Sequence, residues 1–233
     1  GTLAIAADSS SEGHLRTEMK KLFGRPAAHS TEDGVVFLAT KSEELRKPRD
    51  FRHEFAFRDQ GRLISAVSRP GLQSHRRMVG GLRPLLDAME IRPGDRVLNL
   101  GCDAGVLALA AAARAEGVNV VAVDSNTRAV SCAREGAAKN GLTNLEAHVV
   151  SGRWSEGRGT FDLVLACPPY IANSRVADVY VDGAYEALKP GGRLAYSSKH
   201  RVWYVDELSR GFERIDVQES REHNVITAIK RSR

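Results

Sequence analysis

Apolar positions along this chain switch repeatedly between two periods. Short continuous runs suit buried strands, and between them lie stretches where apolar residues recur every three or four positions, as on one face of a helix. Leu3–Ala7 and Val35–Ala39 are strand-like, with helical spacing between them at Leu15, Met19, Leu22 and Phe23. This opening stretch is expected to be too short to bury a core of its own. His53–Phe57 and Leu63–Val67 flank a glycine-bearing loop and predict a hairpin. Ser74 is then expected to cap a helix carrying Met78, Leu82, Leu85, Leu86 and Met89, which Pro84 should kink or divide.

From there strand and helix alternate. Val97–Leu100 is a strand, Val106–Ala115 a helix, Val120–Asp124 a strand and Asn126–Asn140 a helix with Ala129, Val130, Ala133 and Ala137 inward. Leu145–Val150 and Phe161–Ala166 are strands. Ser174 opens a helix with Val176, Val179, Ala184, Ala187 and Leu188 inward, and Lys189–Gly192 turns it into the strand Arg193–Ser197. A short helix, Val202–Leu208, precedes a closing pair at Ile215–Val217 and Val225–Ile229. Repeated strand–helix units that end in a hairpin predict an open, mostly parallel sheet with helices on both faces.

Composition narrows the class. The 233 residues suit one full α/β domain and a smaller appendage, and 42% hydrophobic residues can fill a sizeable core. No apolar run approaches the ~18–20 residues of a membrane span. The three cysteines, Cys102, Cys132 and Cys167, are widely spaced and lack a C-x-x-C, so neither a disulfide framework nor a metal site is indicated. A cytoplasmic protein is the economical reading. The net charge is +5, and Lys41–Arg77 alone holds ten Lys/Arg against five Asp/Glu. A basic segment ahead of a catalytic domain suits a polyanion such as RNA, although a solvated, charge-mixed linker would look similar.

The chemistry concentrates at Val97–Gly105, sequence VLNLGCDAG, followed by the strand that ends on Asp124. Strand, glycine turn, helix and strand form the unit that holds an adenosine-containing cofactor. The glycines let backbone approach the ligand, and the acid at the second strand's tip takes ribose hydroxyls. The nicotinamide fingerprint fails, because Asp103 and Val106 stand where glycines would be needed. Asp103 would also face a dinucleotide's pyrophosphate, and like charges repel. S-adenosylmethionine lacks phosphate and carries a sulfonium and an ammonium, so the turn reads as a methyl-donor site. A second element, Cys167-Pro168-Pro169-Tyr170, closes the strand 161–166. Its prolines set a rigid turn whose carbonyls can accept hydrogen bonds from an exocyclic amine, and Tyr170 can stack on a flat base. A plain strand terminus with two prolines would read the same way.

Together the glycine turn, Asp124, Cys167–Tyr170 and the Leu188–Leu194 segment LKPGGRL resemble a class I S-adenosylmethionine-dependent methyltransferase, from about Arg69 to the C-terminus. Within that class the chain is most similar to ribosomal-RNA guanine-N2 methyltransferases of the methyltransferase small domain group. Ser68–Ser74 resembles their segment before the first helix, and residues near Ile5–Ala7, Glu12-Gly13 and Lys20–Gly24 the end of their degenerate N-terminal domain. The resemblance implies a Rossmann-like α/β fold: an open, mostly parallel seven-stranded sheet with a C-terminal antiparallel hairpin and a small N-terminal α/β appendage. The implied divisions are 1–47 for the appendage, 48–68 for a hairpin linker and 69–233 for the methyltransferase domain.

The same resemblance implies site roles. Gly101, Cys102, Asp103 and Gly105 would line the methionine end of the cofactor, Asp124 would bind the ribose with Ser125 beside it, and Ser151-Gly152 would lie by the adenine. Cys167, Pro168, Pro169 and Tyr170 would hold the target amine, with ribosomal RNA as partner and no metal. Three positions depart from the pattern. Asn99 replaces an acid but still accepts a hydrogen bond, Asp103 replaces a glycine, and Cys167 stands where Asn, Asp or Ser is usual. A thiol is a weak acceptor. An RNA-binding or assembly module without catalysis is therefore the alternative, followed by a methyltransferase acting on protein glutamine or a small molecule.

Overall fold

The computed structural model describes residues 1–8, 12–41, 50–152, 154, 156–169, 175–199, 202–219 and 223–232. Contacts divide the chain into two units, Gly1–Asp50 and Phe51–Arg233.

The first unit contains strand β1 (Thr2–Ala7), helix α1 (Glu12–Phe23) and strands β2 (Ala27–Thr31) and β3 (Gly34–Thr40). Its antiparallel sheet has the order β1-β3-β2. Contrary to the sequence expectation, it buries a small core of Met19, Val35, Phe37 and Ala39. The difference is β2: its sequence, AAHST, carries no apolar signal, yet a third strand gives α1 a sheet to pack against.

The second unit opens with the hairpin β4 (His53–Asp59) and β5 (Arg62–Ser68), followed by α2 (Leu82–Ala88), β6 (Arg96–Leu100), α3 (Val106–Arg114), β7 (Asn119–Asp124), α4 (Thr127–Lys139), β8 (Leu145–Val149) and β9 (Phe161–Ala166). Then come α5 (Arg175–Ala187), β10 (Leu188–Ser198), α6 (Val202–Leu208), β11 (Phe212–Gln218) and β12 (Asn224–Lys230). The main sheet has seven strands in the order β11-β12-β10-β9-β6-β7-β8. β6 to β10 pair in parallel, and β10, β12 and β11 pair antiparallel.

Strand alternation sorts side chains to two cores. Val97, Leu163 and Leu165 face α2, α3 and α4, whereas Leu98, Leu100 and Val164 face α5 and α6. The hairpin belongs to the first of these layers. Asp59 pairs with Arg114 at the end of α3, and the Asn140 amide both accepts from the Ser65 N–H (3.0 Å) and donates to its carbonyl (2.7 Å).

The helix expected from Ser74 is shorter than the apolar spacing suggested. Residues 74–81 are turns, the Ser74 hydroxyl has no partner, and α2 starts at Leu82 with Pro84 in its first turn. There proline's missing N–H costs no helical hydrogen bond, so the helix begins just upstream of it rather than running through it. Among the described residues no helix is long and apolar enough to cross a membrane.

Candidate active site

Strand register builds the site. Leu100 is aligned with Val123 on one side and Ala166 on the other, so Gly101, Asp124 and Cys167 emerge side by side at one edge of the sheet. Asp124 is aligned with Val149, which brings Val150–Gly152 alongside, and Tyr196 with Ala166, which brings Ser197 next to Cys167. In an open α/β sheet this carboxyl edge is where ligands bind.

A cavity of about 330 Å³ opens there, lined by Gly101, Asp124, Ser125, Gly152, Trp154 and Tyr180 together with Leu100, Val123, Val150, Val176, Val179 and Gly183. Its size lies in the range of small-molecule sites. The Asp124 carboxylate is held by two backbone donors, the N–H of Asp103 (3.0 Å) and of Asn126 (2.9 Å). A carboxylate has about four acceptor positions, so two remain for a diol. Gly101 has φ +68°, and a Cβ there would overlap the Tyr180 hydroxyl and lie 2.9 Å from its ring. Glycine is needed at this turn on both counts.

A second cleft of about 10 Å³ also includes Gly101 and is lined by Cys102, Asp103, Cys167, Gln73, Val79, Leu82, Val106 and Leu107. It has room for about one water. Asp103 adopts φ +50°, and its two oxygens accept the backbone N–H groups of Gln73 and Ser74, both at 2.8 Å. Its carboxylate is therefore engaged in holding the loop before α2. Asn99 is fully buried, donates weakly to the Leu165 carbonyl (3.3 Å) and leaves its side-chain oxygen unpaired.

Other expected residues fall outside both linings. Ser151 is exposed, and Gly105, at φ +78°, caps α3 where a Cβ would come within 3.0 Å of the Ala133 Cα, a helix-packing position. Pro168 is buried and Pro169 half-buried, while Tyr170 and Ser174 lie outside the described residues. Burial pushes the Cys167 thiol up to about 11. Cys167 is thus a neutral thiol near pH 7. Burial and the Asp124 charge likewise raise the Tyr180 phenol, so it stays protonated.

Tyr180, Trp154 and Ser197 were not anticipated. Tyr180 shares a helix face with Val176 and Gly183, and Trp154 stands two residues past Gly152, so spacing offered a signal for these two; Ser197 is brought in only by the ladder. The basic segment is partly spent internally. Arg52 bonds Glu135 (2.8 Å) and Glu54 (2.7 Å), and Arg69 bonds Glu135 (2.9 Å), fastening the hairpin region to α4. Among the described residues no cluster of three or more His, Cys, Asp or Glu could hold a metal.

The strand order, the glycine turn and the acid at the tip of β7 define a Rossmann-like methyltransferase fold. The chain belongs to the methyltransferase small domain family, whose profile matches residues 64–228. It is 34% identical over 161 residues to the ribosomal RNA small subunit methyltransferase C of Alcanivorax borkumensis, covering 65% of this chain and 48% of that protein. Its namesake from Klebsiella pneumoniae is 30% identical over 158 residues, covering 65% and 46%. The chain thus spans about half the length of the curated relatives it matches. Among solved structures, the T. thermophilus 16S rRNA N2 G1207 methyltransferase, solved with AdoMet and guanosine, superimposes with a TM-score of 0.84 at 24% identity, covering 99% of this chain and 65% of that one. The [4+2]-cyclase SpnF superimposes with a TM-score of 0.55 at 16% identity, covering 65% and 80%. One fold therefore carries different chemistries, and the activity has to be argued from the site.

Proposed function

We propose that this chain transfers a methyl group from S-adenosylmethionine to an exocyclic amine of RNA, guanine N2 of ribosomal RNA. The observation that carries the reading is the register that sets the Gly101 turn, Asp124 and Cys167 along one sheet edge, where Gly101 and Asp124 line a cavity of about 330 Å³. The relatives named for small-subunit RNA methylation support the substrate class.

The residues present fit the adenosine part of this cofactor. Gly101 lacks the Cβ that would fill its cradle, and Asp124 keeps acceptor positions for the ribose hydroxyls. Bound there, the cofactor supplies an electrophilic methyl on sulfur. The chain's part is positional. Asp124 orients the sugar, Gly101 lets backbone approach, and the carbonyls of the 167–169 turn hold the target N–H groups so that the nitrogen lone pair faces the cofactor. The neutral Cys167 thiol adds little as an acceptor, which predicts a slow catalyst.

Calorimetric titration with S-adenosylmethionine tests the reading. Micromolar binding is expected for the wild type. Asp124→Ala removes charge-assisted hydrogen bonds worth ~1.5–3 kcal/mol, which weakens binding about ten- to 150-fold. Absence of binding to the wild type refutes the enzyme and leaves a non-catalytic RNA-binding module, the reading that Cys167 itself favours. With binding in place, Cys167→Asn distinguishes the two again. A large gain in methylation of ribosomal RNA marks a weakened catalyst.

A further inference from the structure

The large cavity and the small cleft share one residue, Gly101. The large one has the features of a nucleoside chamber, with Asp124 and Trp154 in its wall. The small cleft is lined by Val79, Leu82, Val106 and Leu107, and its one carboxylate, Asp103, is already bonded to two backbone N–H groups. Any ligand that starts in the nucleoside chamber and extends an amino-acid tail toward Cys102 and Asp103 has to cross over Gly101. Gly101 is covered by Tyr180, whose hydroxyl sits where a Gly101 Cβ would be, with the ring 2.9 Å from that position. None of the described hydrogen bonds engages the Tyr180 hydroxyl, so packing alone keeps it there. A ring at the end of two rotatable bonds, on a helix face that lines the cavity, can leave without breaking a polar contact.

We propose that Tyr180 is the specificity-determining residue of this site, dividing it so that a bare adenine nucleoside enters freely while a nucleoside bearing an amino-acid tail must first displace the ring from Gly101. This rests on the cofactor reading above and deepens it. The displacement lowers the apparent affinity of tailed ligands by the fraction of molecules in which the ring is already away, and leaves nucleoside affinity untouched.

The test compares adenosine, S-adenosylmethionine and S-adenosylhomocysteine on the wild type, Tyr180→Phe and Tyr180→Ala. Binding is followed by calorimetry and by tryptophan fluorescence, since Trp154 lines the same chamber. Tyr180→Ala is expected to improve both tailed ligands relative to adenosine by about tenfold, the factor for a ring that is displaced in a tenth of molecules. Tyr180→Phe keeps the ring and removes the atom seated on Gly101, so it shifts the same ratio in the same direction by less. It decides the matter if Tyr180→Ala does not fold. An unchanged ratio overturns the proposal, as does a preferential loss of the tailed ligands, which would make Tyr180 a contact for the tail. If neither adenosine nor S-adenosylmethionine binds any of the three proteins, the cofactor reading itself fails, an outcome distinct from a constant ratio with binding intact.

Discussion

The ion pair that anchors the hairpin offers a sharp test of how this unit is held together. Arg114 donates to both Asp59 oxygens, at 2.8 and 2.7 Å, and each side chain is only 5% exposed. The guanidinium also donates to the carbonyls of Leu86 (2.6 Å) and Met89 at the end of α2. One side chain therefore ties β4, α2 and the C-terminal end of α3, and α3 is the helix that follows the Gly101 turn. Asp59→Ala leaves that guanidinium buried without its counter-charge. Breaking a buried pair in this way costs about 3–5 kcal/mol, against a total domain stability of about 5–15 kcal/mol. The double substitution Asp59→Val with Arg114→Met removes both charges. The Leu86 carbonyl keeps the Met89 N–H (3.3 Å), and the Met89 carbonyl loses the guanidinium. That leaves roughly 1–3 kcal/mol for one under-satisfied carbonyl, less than the single change. Urea denaturation followed by tryptophan fluorescence reads this unit directly, because Trp154 and Trp203 both lie within Phe51–Arg233. A single-substitution loss below about 1 kcal/mol, or a double variant no more stable than the sum of the two single changes, would refute the account.

Gly101→Ala places a side chain at φ +68° and against Tyr180. Stability should fall by about 1–2 kcal/mol from the left-handed backbone alone, and urea denaturation that shows no loss contradicts it. Asp103→Ala releases the amides of Gln73 and Ser74, so hydrogen exchange in residues 70–82 should speed up about tenfold or more, the worth of a charge-assisted hydrogen bond. Unchanged exchange would mean the loop is held by other contacts. Cys167, held up to about 11 against an ordinary 9.0, should alkylate about a hundredfold more slowly at pH 8 than the same thiol in unfolded protein. Because the unfolded thiol ionises first, its raised value also makes stability fall as pH rises through 9.0 toward 11. Iodoacetamide labelling with peptide mapping checks the first effect and melting temperatures across that range the second.

Local pattern carried much of this molecule. The alternation of strand and helical periods from Val97 onward defined the repeated units, the hairpin at the end and an open, mostly parallel sheet. Gly101, Asp124 and the Pro168-Pro169 pair were visible because each answers a requirement of backbone conformation or charge that only a few residue types meet. What stayed hidden depends on partners distant in sequence. Nothing around Asp103 says that its carboxylate takes the amides of Gln73 and Ser74, 30 and 29 residues away, and so holds the loop before α2. Strand β2 is polar and becomes a strand only because β3 offers it an edge. Tyr180 was not among the anticipated site residues, and strand and helix packing set it on Gly101. Periodicity is a property of neighbours along the chain. Register and the choice of which helix face meets which turn are decided by packing across the sheet, and they set how much of the cavity a ligand can use.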